Sequence, residues 1–171
     1  MRLLAVGLIS MAALGIASGA SAQNLSMAEV SYSPQFQTAL TRDYGTREGD
    51  YLRRDVEQSV RAAIERRHVS ANGIAIEVSI VDARPNSPTM QQLAHRPGLD
   101  PILSFSIGGA ELTAVLRNAN GQQVAEVRHE RYNPSIDDVF PPTSTWREAE
   151  HAIDQFAEKV ADAYVAQAQA R

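Results

Sequence analysis

Cysteine is absent from all 171 residues. Its absence excludes disulfides, thiolate metal sites and cysteine nucleophiles. It also excludes the lipid anchor of bacterial lipoproteins, which needs a cysteine directly after the leader. Lysine is almost absent, Lys159 being the only one. Basic residues number 16 against 20 acidic ones, a formal charge of −4. Nucleic acid and anionic membranes are bound through basic patches, so neither is an expected partner. The phosphate-binding loop and the G-x-S-x-G nucleophile elbow do not occur, and none of His68, His95, His129 and His151 forms an i, i+4 pair. No cofactor, metal or catalytic constellation is therefore expected.

What is present begins with an address. Arg2 precedes an apolar run that ends near Ala17, and Ala20-Ser21-Ala22 supplies small residues in an A-x-A arrangement. These three parts predict a cleaved signal peptide over residues 1–22 and a periplasmic or secreted product. Gly7, Ser10 and Gly15 interrupt the run. It falls short of the ~20 residues of a spanning helix, so no integral membrane span is expected after cleavage. Residues 23–171 then form a single domain, long enough to bury about 70% of its unfolded surface.

Periodicity predicts the elements of that domain. Ala28 to Tyr32 alternates as a short strand, and Pro34 to Leu40 makes a helical turn or two with Phe36 and Leu40 inward. Asp43 to Thr46 reads as a loop. Leu52, Val56, Val60, Ala63 and Ile64 form the stripe of a helix from Asp50, its expected cap, to His68. Asn72-Gly73 ends that segment. Ile74, Ile76, Val78 and Ile80 alternate as a strand. Thr89 to Gln92 has capping-box spacing for a short helix.

Ile102 to Asn118 reads as one long strand. Leu103, Phe105 and Ile107 occupy odd positions, whereas Leu112, Ala114 and Leu116 occupy even ones. A period of two cannot change parity without an inserted residue, so a β-bulge is expected at Gly108-Gly109. Asn120-Gly121 predicts a two-residue turn. Pairing outward from it sets Leu116 opposite Ala125, Leu112 opposite His129 and Tyr132 opposite Gly109. Thr145 to Glu148 has capping-box spacing, and Trp146, Ala149, Ile153, Phe156, Val160 and Tyr164 form a second helical stripe to about Ala166. The fold class is α+β: a two-layer sandwich with a mainly antiparallel four-stranded sheet, order β-α-β-β-β-α, and both long helices on one face.

Candidate chemistry is sparse. Asp137-Asp138 is an adjacent acidic pair within a loop, without the further carboxylates of a Ca²⁺ loop. His129 falls at the end of the apolar face, where a satisfied, partly buried imidazole is expected. The connection ending at Pro101 and the loop beginning at Asn133 should meet at one end of the sheet. There His95, Arg96, Arg131, Asp137 and Asp138 could converge as a binding site.

The leader, the lack of cysteine, the element order and the phrases Ser33-Pro34-Gln35-Phe36, Asp82-Ala83-Arg84-Pro85 and Ser106-Ile107-Gly108-Gly109-Ala110 resemble small exported alphaproteobacterial proteins of unknown function. In outline the domain is also similar to auxiliary domains of envelope assembly and transport lipoproteins, which carry the lipidated cysteine that this chain lacks. The expected role is a non-catalytic periplasmic binding or accessory module, its partner another envelope protein or a small ligand. Two alternatives stand beside it. One is a periplasmic hydrolase using Asp137 and Asp138 with His95 or His129; the other is a structural envelope protein.

Overall fold

A computed structural model describes residues 26–27, 30–69, 73–136 and 144–170. The leader lies outside them, as do Ala28 and Glu29 of the first expected strand, Asn72, Asp137 and Asp138. The elements run β1 (Ser26–Met27), β2 (Ser31–Tyr32), α1 (Pro34–Ala39), a π-helical turn (Leu40–Tyr44), α2 (Thr46–Arg66), β3 (Ala75–Arg84), α3 (Met90–His95), β4 (Gly109–Arg117), β5 (Gln123–Tyr132) and α4 (Arg147–Gln169).

The fold is α+β, but its sheet is mixed. β1 and β2 both pair with β3 in parallel, whereas β3–β4 and β4–β5 are antiparallel. The order is β1-β3-β4-β5, with β2 continuing along the same side of β3 as β1. The helical crossover from β2 to β3 brings the chain back in its starting direction, which makes that pairing parallel.

One side of the sheet is dry. Ile76, Val78 and Ile80 of β3 and Ala110, Leu112, Ala114 and Leu116 of β4 are buried. They join Leu52, Val56, Val60 and Ala63 of α2 and Ile153, Phe156 and Val160 of α4 in a single core, as the two stripes predict. Phe36 and Leu40 close one flank of it, as expected. The side-chain bonds between the long helices climb both in the same order, from Tyr51–Glu150 through Ser59–Asp154 to Arg66–Glu158, so α2 and α4 run parallel.

Several boundaries differ from expectation. The segment read as a loop at Asp43 is helical, and α2 starts at Thr46 after Gly45, whose φ of 103° lets the chain turn there. Asp50 is thus inside the helix and pairs with Arg53. α2 ends at Arg66, and His68 stands beyond it with φ 51°. The capping box at Thr89 forms in both directions. That expected at Thr145 does not form: α4 begins at Arg147, and Trp146 supplies no side-chain cap.

The hairpin register holds from Leu116–Ala125 to Gly109–Tyr132. Its turn is one residue longer than expected. The Gly121 N–H donates to the Asn118 carbonyl at 2.9 Å, and the Asn118 N–H to the Gln122 carbonyl at 2.9 Å, so Ala119, Asn120 and Gly121 form the loop. A register shift beside Leu116 absorbs the extra residue, and Arg117 faces Gln123 instead of Val124.

The long strand does not extend before Gly109. Residues 104–108 run outside the sheet, so the parity change needs no bulge at Gly108-Gly109. The bulge on β3 lies between Ile80 and Asp82. Leu103 and Ile107, expected inward, are 76% and 39% exposed.

Candidate functional site

The loop end of the sheet is built around one buried polar side chain. Asn86, 1% exposed, follows β3. Its N–H donates to the Thr145 carbonyl at 2.7 Å, and its carbonyl accepts from the Ser106 N–H at 2.9 Å. Its Oδ1 accepts from the Glu148 N–H at 2.9 Å, satisfying a free donor in the first turn of α4. Its Nδ2 donates to Asn133 Oδ1 at 3.2 Å and, more weakly, to the Ser106 carbonyl at 3.4 Å. Asn133 in turn accepts from the Gly108 N–H at 3.3 Å, and its own N–H donates to the Gly108 carbonyl at 3.0 Å. The connection after Pro101 and the loop after β5 therefore do meet. Gly108 is required here, because a Cβ would run into the Asn86 amide.

A second polar device is anchored by Asp100, six residues before Ser106 on the same loop. Asp100 Oδ1 accepts from the N–H groups of Ile102 and Leu103 at 2.7 and 2.8 Å. The Ser104 hydroxyl accepts from the Asp100 N–H at 2.9 Å, and the Ser104 N–H donates back to the Asp100 carbonyl at 3.1 Å. The two amide donors hold the Asp100 carboxyl below the usual carboxylate range. This closed turn displays Ile102 and Leu103 at 72% and 76% exposure.

Among the described residues, the large exposed hydrophobics are Tyr51, Met90, Ile102, Leu103, Ile107 and Ile136. All but Tyr51 leave the chain within four residues of the knot formed by Asn86, Ser106, Gly108 and Asn133. Scattered single apolar residues are ordinary on a protein surface, whereas contiguous exposed apolar patches are characteristic of interaction surfaces.

Of the polar residues expected to converge here, the structure describes His95, Arg96 and Arg131. His95 is exposed at the end of α3. Arg96 lies 3.6 Å from Asp43 of the π-helical turn. Arg131 faces the helix-covered side of β5, where it donates to Glu148 at 3.0 Å. No hydrogen bond or ion pair joins these three among the described residues, and Asp137 and Asp138 lie outside them. His129 is 8% exposed, and its Nδ1 is 2.9 Å from Lys159 Nζ. Burial, and then the Lys159 charge, holds its pKa below the ordinary histidine value. The imidazole is thus neutral at pH 7, and Nδ1 accepts from the ammonium. A general base is normally oriented by a carboxylate, and here a cation occupies that place.

On the uncovered side of the same sheet end, Tyr132 donates to Asp82 at 2.9 Å, and Arg84 lies 4.9 Å above its ring. Burial and the Asp82 charge raise the pKa of the Tyr132 hydroxyl. Gly109, opposite Tyr132, has φ 150°, and a Cβ there would strike the β5 backbone. These groups satisfy one another and offer no free catalytic pair.

Sequence would have pointed to this site only through its composition: Asp100-Pro101-Ile102-Leu103 puts a turn-forming acid directly before two aliphatic residues. The strand-like alternation of the residues that follow masks that signal.

No protein-family model matches the chain, and no curated protein matches it. Among solved structures, the crystal structure of a candidate lipoprotein from Caulobacter crescentus CB15 aligns with 85% of this chain and 92% of its own, at 16% identity and a TM-score of 0.40. A likeness at that level carries neither fold nor activity across. No helix among the described residues is long and apolar enough to cross a membrane.

Proposed function

We propose that this chain is an exported, non-catalytic accessory module that binds a partner protein through the loop end of its sheet. The observation that carries the reading is the Asp100 turn, which fixes Ile102 and Leu103 in solvent with their backbone N–H groups already bonded. A preorganised apolar tip loses little conformational freedom on docking. Its apolar side chains gain roughly 25 cal/mol for each Å² removed from water.

Nothing in the fold needs these two side chains. Replacing both with serine, Ile102→Ser with Leu103→Ser, should leave thermal stability within about 0.5 kcal/mol of the parent, as for surface positions in general. A loss of several kcal/mol would make the tip part of the folding core and overturn the reading. Export through the expected leader predicts a product that begins at Gln23. Mass spectrometry of the periplasmic or secreted protein checks this, and an intact Met1 on a cytoplasmic product would contradict it.

A further inference from the structure

β5 is the outer strand of the sheet, paired with β4 on one side and, among the described residues, with no strand on the other. Its helix-covered side meets α4. At one end of that seam Arg131 donates to Glu148 at 3.0 Å, and further along His129 Nδ1 lies 2.9 Å from Lys159 Nζ. An ammonium has donors and no acceptor, so Nδ1 must accept, and the proton of the neutral imidazole sits on Nε2. Nε2 is itself buried, with no hydrogen-bond partner among the described residues.

A second proton can therefore enter the ring only at Nδ1, the atom that receives Lys159. Two cations would then face each other, and the hydrogen bond between them would be lost. The surroundings offer the imidazolium little in exchange. Among the described residues, the charged groups acting on it are Lys159 of α4 and Arg131 of β5, both cations. β4 places Leu112 opposite it, and Gln155 of α4 is the neutral amide in reach. Glu148 is engaged by Arg131 and has His151 3.9 Å away. Glu158 and Asp162 turn instead to Arg66 and Arg67 at the end of α2.

We propose that the Lys159–His129 contact is an acid-released latch: a proton taken at Nδ1 frees the outer strand β5 from α4, while the rest of the sheet stays packed under the helices. Lys159 is exposed and can swing into solvent on its flexible stem. His129, 8% exposed and fixed in the strand, cannot follow. A buried charge without a partner is strongly disfavoured, so the imidazolium gains water only when β5 parts from α4. α4 is the fixed side, because Ile153, Phe156 and Val160 anchor it in the core. β5 is the movable side. Its helix-facing Ala125 and Val127 are only partly buried, and a ladder to β4 holds it from one edge. Segments with few buried contacts open at less cost than the core does. The latch is independent of the Ile102–Leu103 tip, which lies on another loop.

Because the chain has no cysteine, one introduced thiol can report the opening. Val127→Cys places it on the helix-facing side of β5, two residues from His129. Val78→Cys places it on β3, in the same cross-strand row through Ala114. Labelling by a disulfide reagent is measured at about pH 7.5 and about pH 5, either side of the ordinary histidine range. Each rate is divided by that of free cysteine at the same pH. At position 127 the normalised rate should rise about tenfold in acid, because the open form takes a proton that the closed form resists. In acid, position 127 should label about a hundredfold faster than position 78, which only unfolding of the core exposes.

In the Val127→Cys background, His129→Gln offers Lys159 an acceptor that takes no proton, and it should abolish the rise. Lys159→Gln removes the facing cation and should shrink it, which keeps the test decisive should His129→Gln fail to fold by circular dichroism. A normalised rate at position 127 that stays flat with pH overturns the proposal. So does a rise that the folded variants leave unchanged, which would assign it to another group. Equal labelling at positions 127 and 78 in acid also overturns it, since the whole domain would then be opening.

Discussion

Asn86 Oδ1 accepts a hydrogen bond from the Glu148 backbone N–H at 2.9 Å, across 62 residues of sequence. The loop after β3 thereby supplies the N-terminal cap that α4 lacks locally. The same side chain holds the segment before β4 and the loop after β5. Helix start, sheet end and candidate binding loops therefore share one anchor.

Asn86→Ala removes that anchor, leaving the Glu148 N–H without its acceptor and Asn133 Oδ1 without the Nδ2 donor. The expected cost is about 2–4 kcal/mol, as a lost cap plus unsatisfied polar groups. Urea unfolding checks it. An unchanged midpoint would show that the knot is not structural.

Asp55 of α2 carries a raised pKa of about 6, caused first by burial and then by the negative charges of Glu150 and Asp154. Folding thus favours its protonated form. Its stabilising influence is greatest in acid and is lost as pH rises through about 6. Asp55→Asn should gain about 1–2 kcal/mol above that pH after allowance for solvent screening, with the gain vanishing near the unfolded value of about 4. Denaturant midpoints of both proteins across the acid range measure the difference. A gain that persists undiminished in acid would contradict the assignment.

His129 acts in the opposite direction. Burial and Lys159 lower its pKa, so the unfolded chain binds a proton that the folded chain resists. Its contribution is complete above the ordinary value of 6.5 and is lost as pH falls below it. His129→Gln should flatten the acid limb of the stability profile. A variant whose profile keeps the wild-type acid slope would refute this.

Phe156 is fully buried between α4 and the sheet, in the same core as Leu112 and Leu116. Phe156→Ala should cost about 3–5 kcal/mol, from lost transfer energy and the cavity left behind. Calorimetry reads this as a lowered melting temperature. A melting temperature equal to the parent's would refute the packing.

The parts of this fold that could be read from sequence are those whose pattern is local. The stripe of Leu52, Val56, Val60 and Ala63 marks a helix by spacing alone, and the alternation of Leu112, Ala114 and Leu116 sets the hairpin register. Residues 102–107 misled because Leu103, Phe105 and Ile107 also alternate. In the fold, Asp100 engages the N–H groups of Ile102 and Leu103, and Asn86 and Asn133 engage those of Ser106 and Gly108, so no strand forms. The cap on α4 was illegible for the same reason, since its acceptor comes from a distant loop. The meeting of the loop after Pro101 with the loop after β5 could be anticipated from topology, whereas the partners of the charged residues there could not. Arg96 and Arg131 pair with Asp43 and Glu148, charges whose proximity no local spacing reveals. Ile102 and Leu103 stand exposed on the Asp100 turn.

The central claim is that the Ile102–Leu103 tip is where this protein binds. Photo-cross-linking tests it most directly, with a photoreactive amino acid at position 103 and, as a control, at position 113 on the uncovered face of β4, in cells that export the chain. The account predicts a discrete cross-linked product from position 103, either a multiple of this chain or a defined adduct, and none from position 113. No product from position 103, or equal products from both, would contradict it.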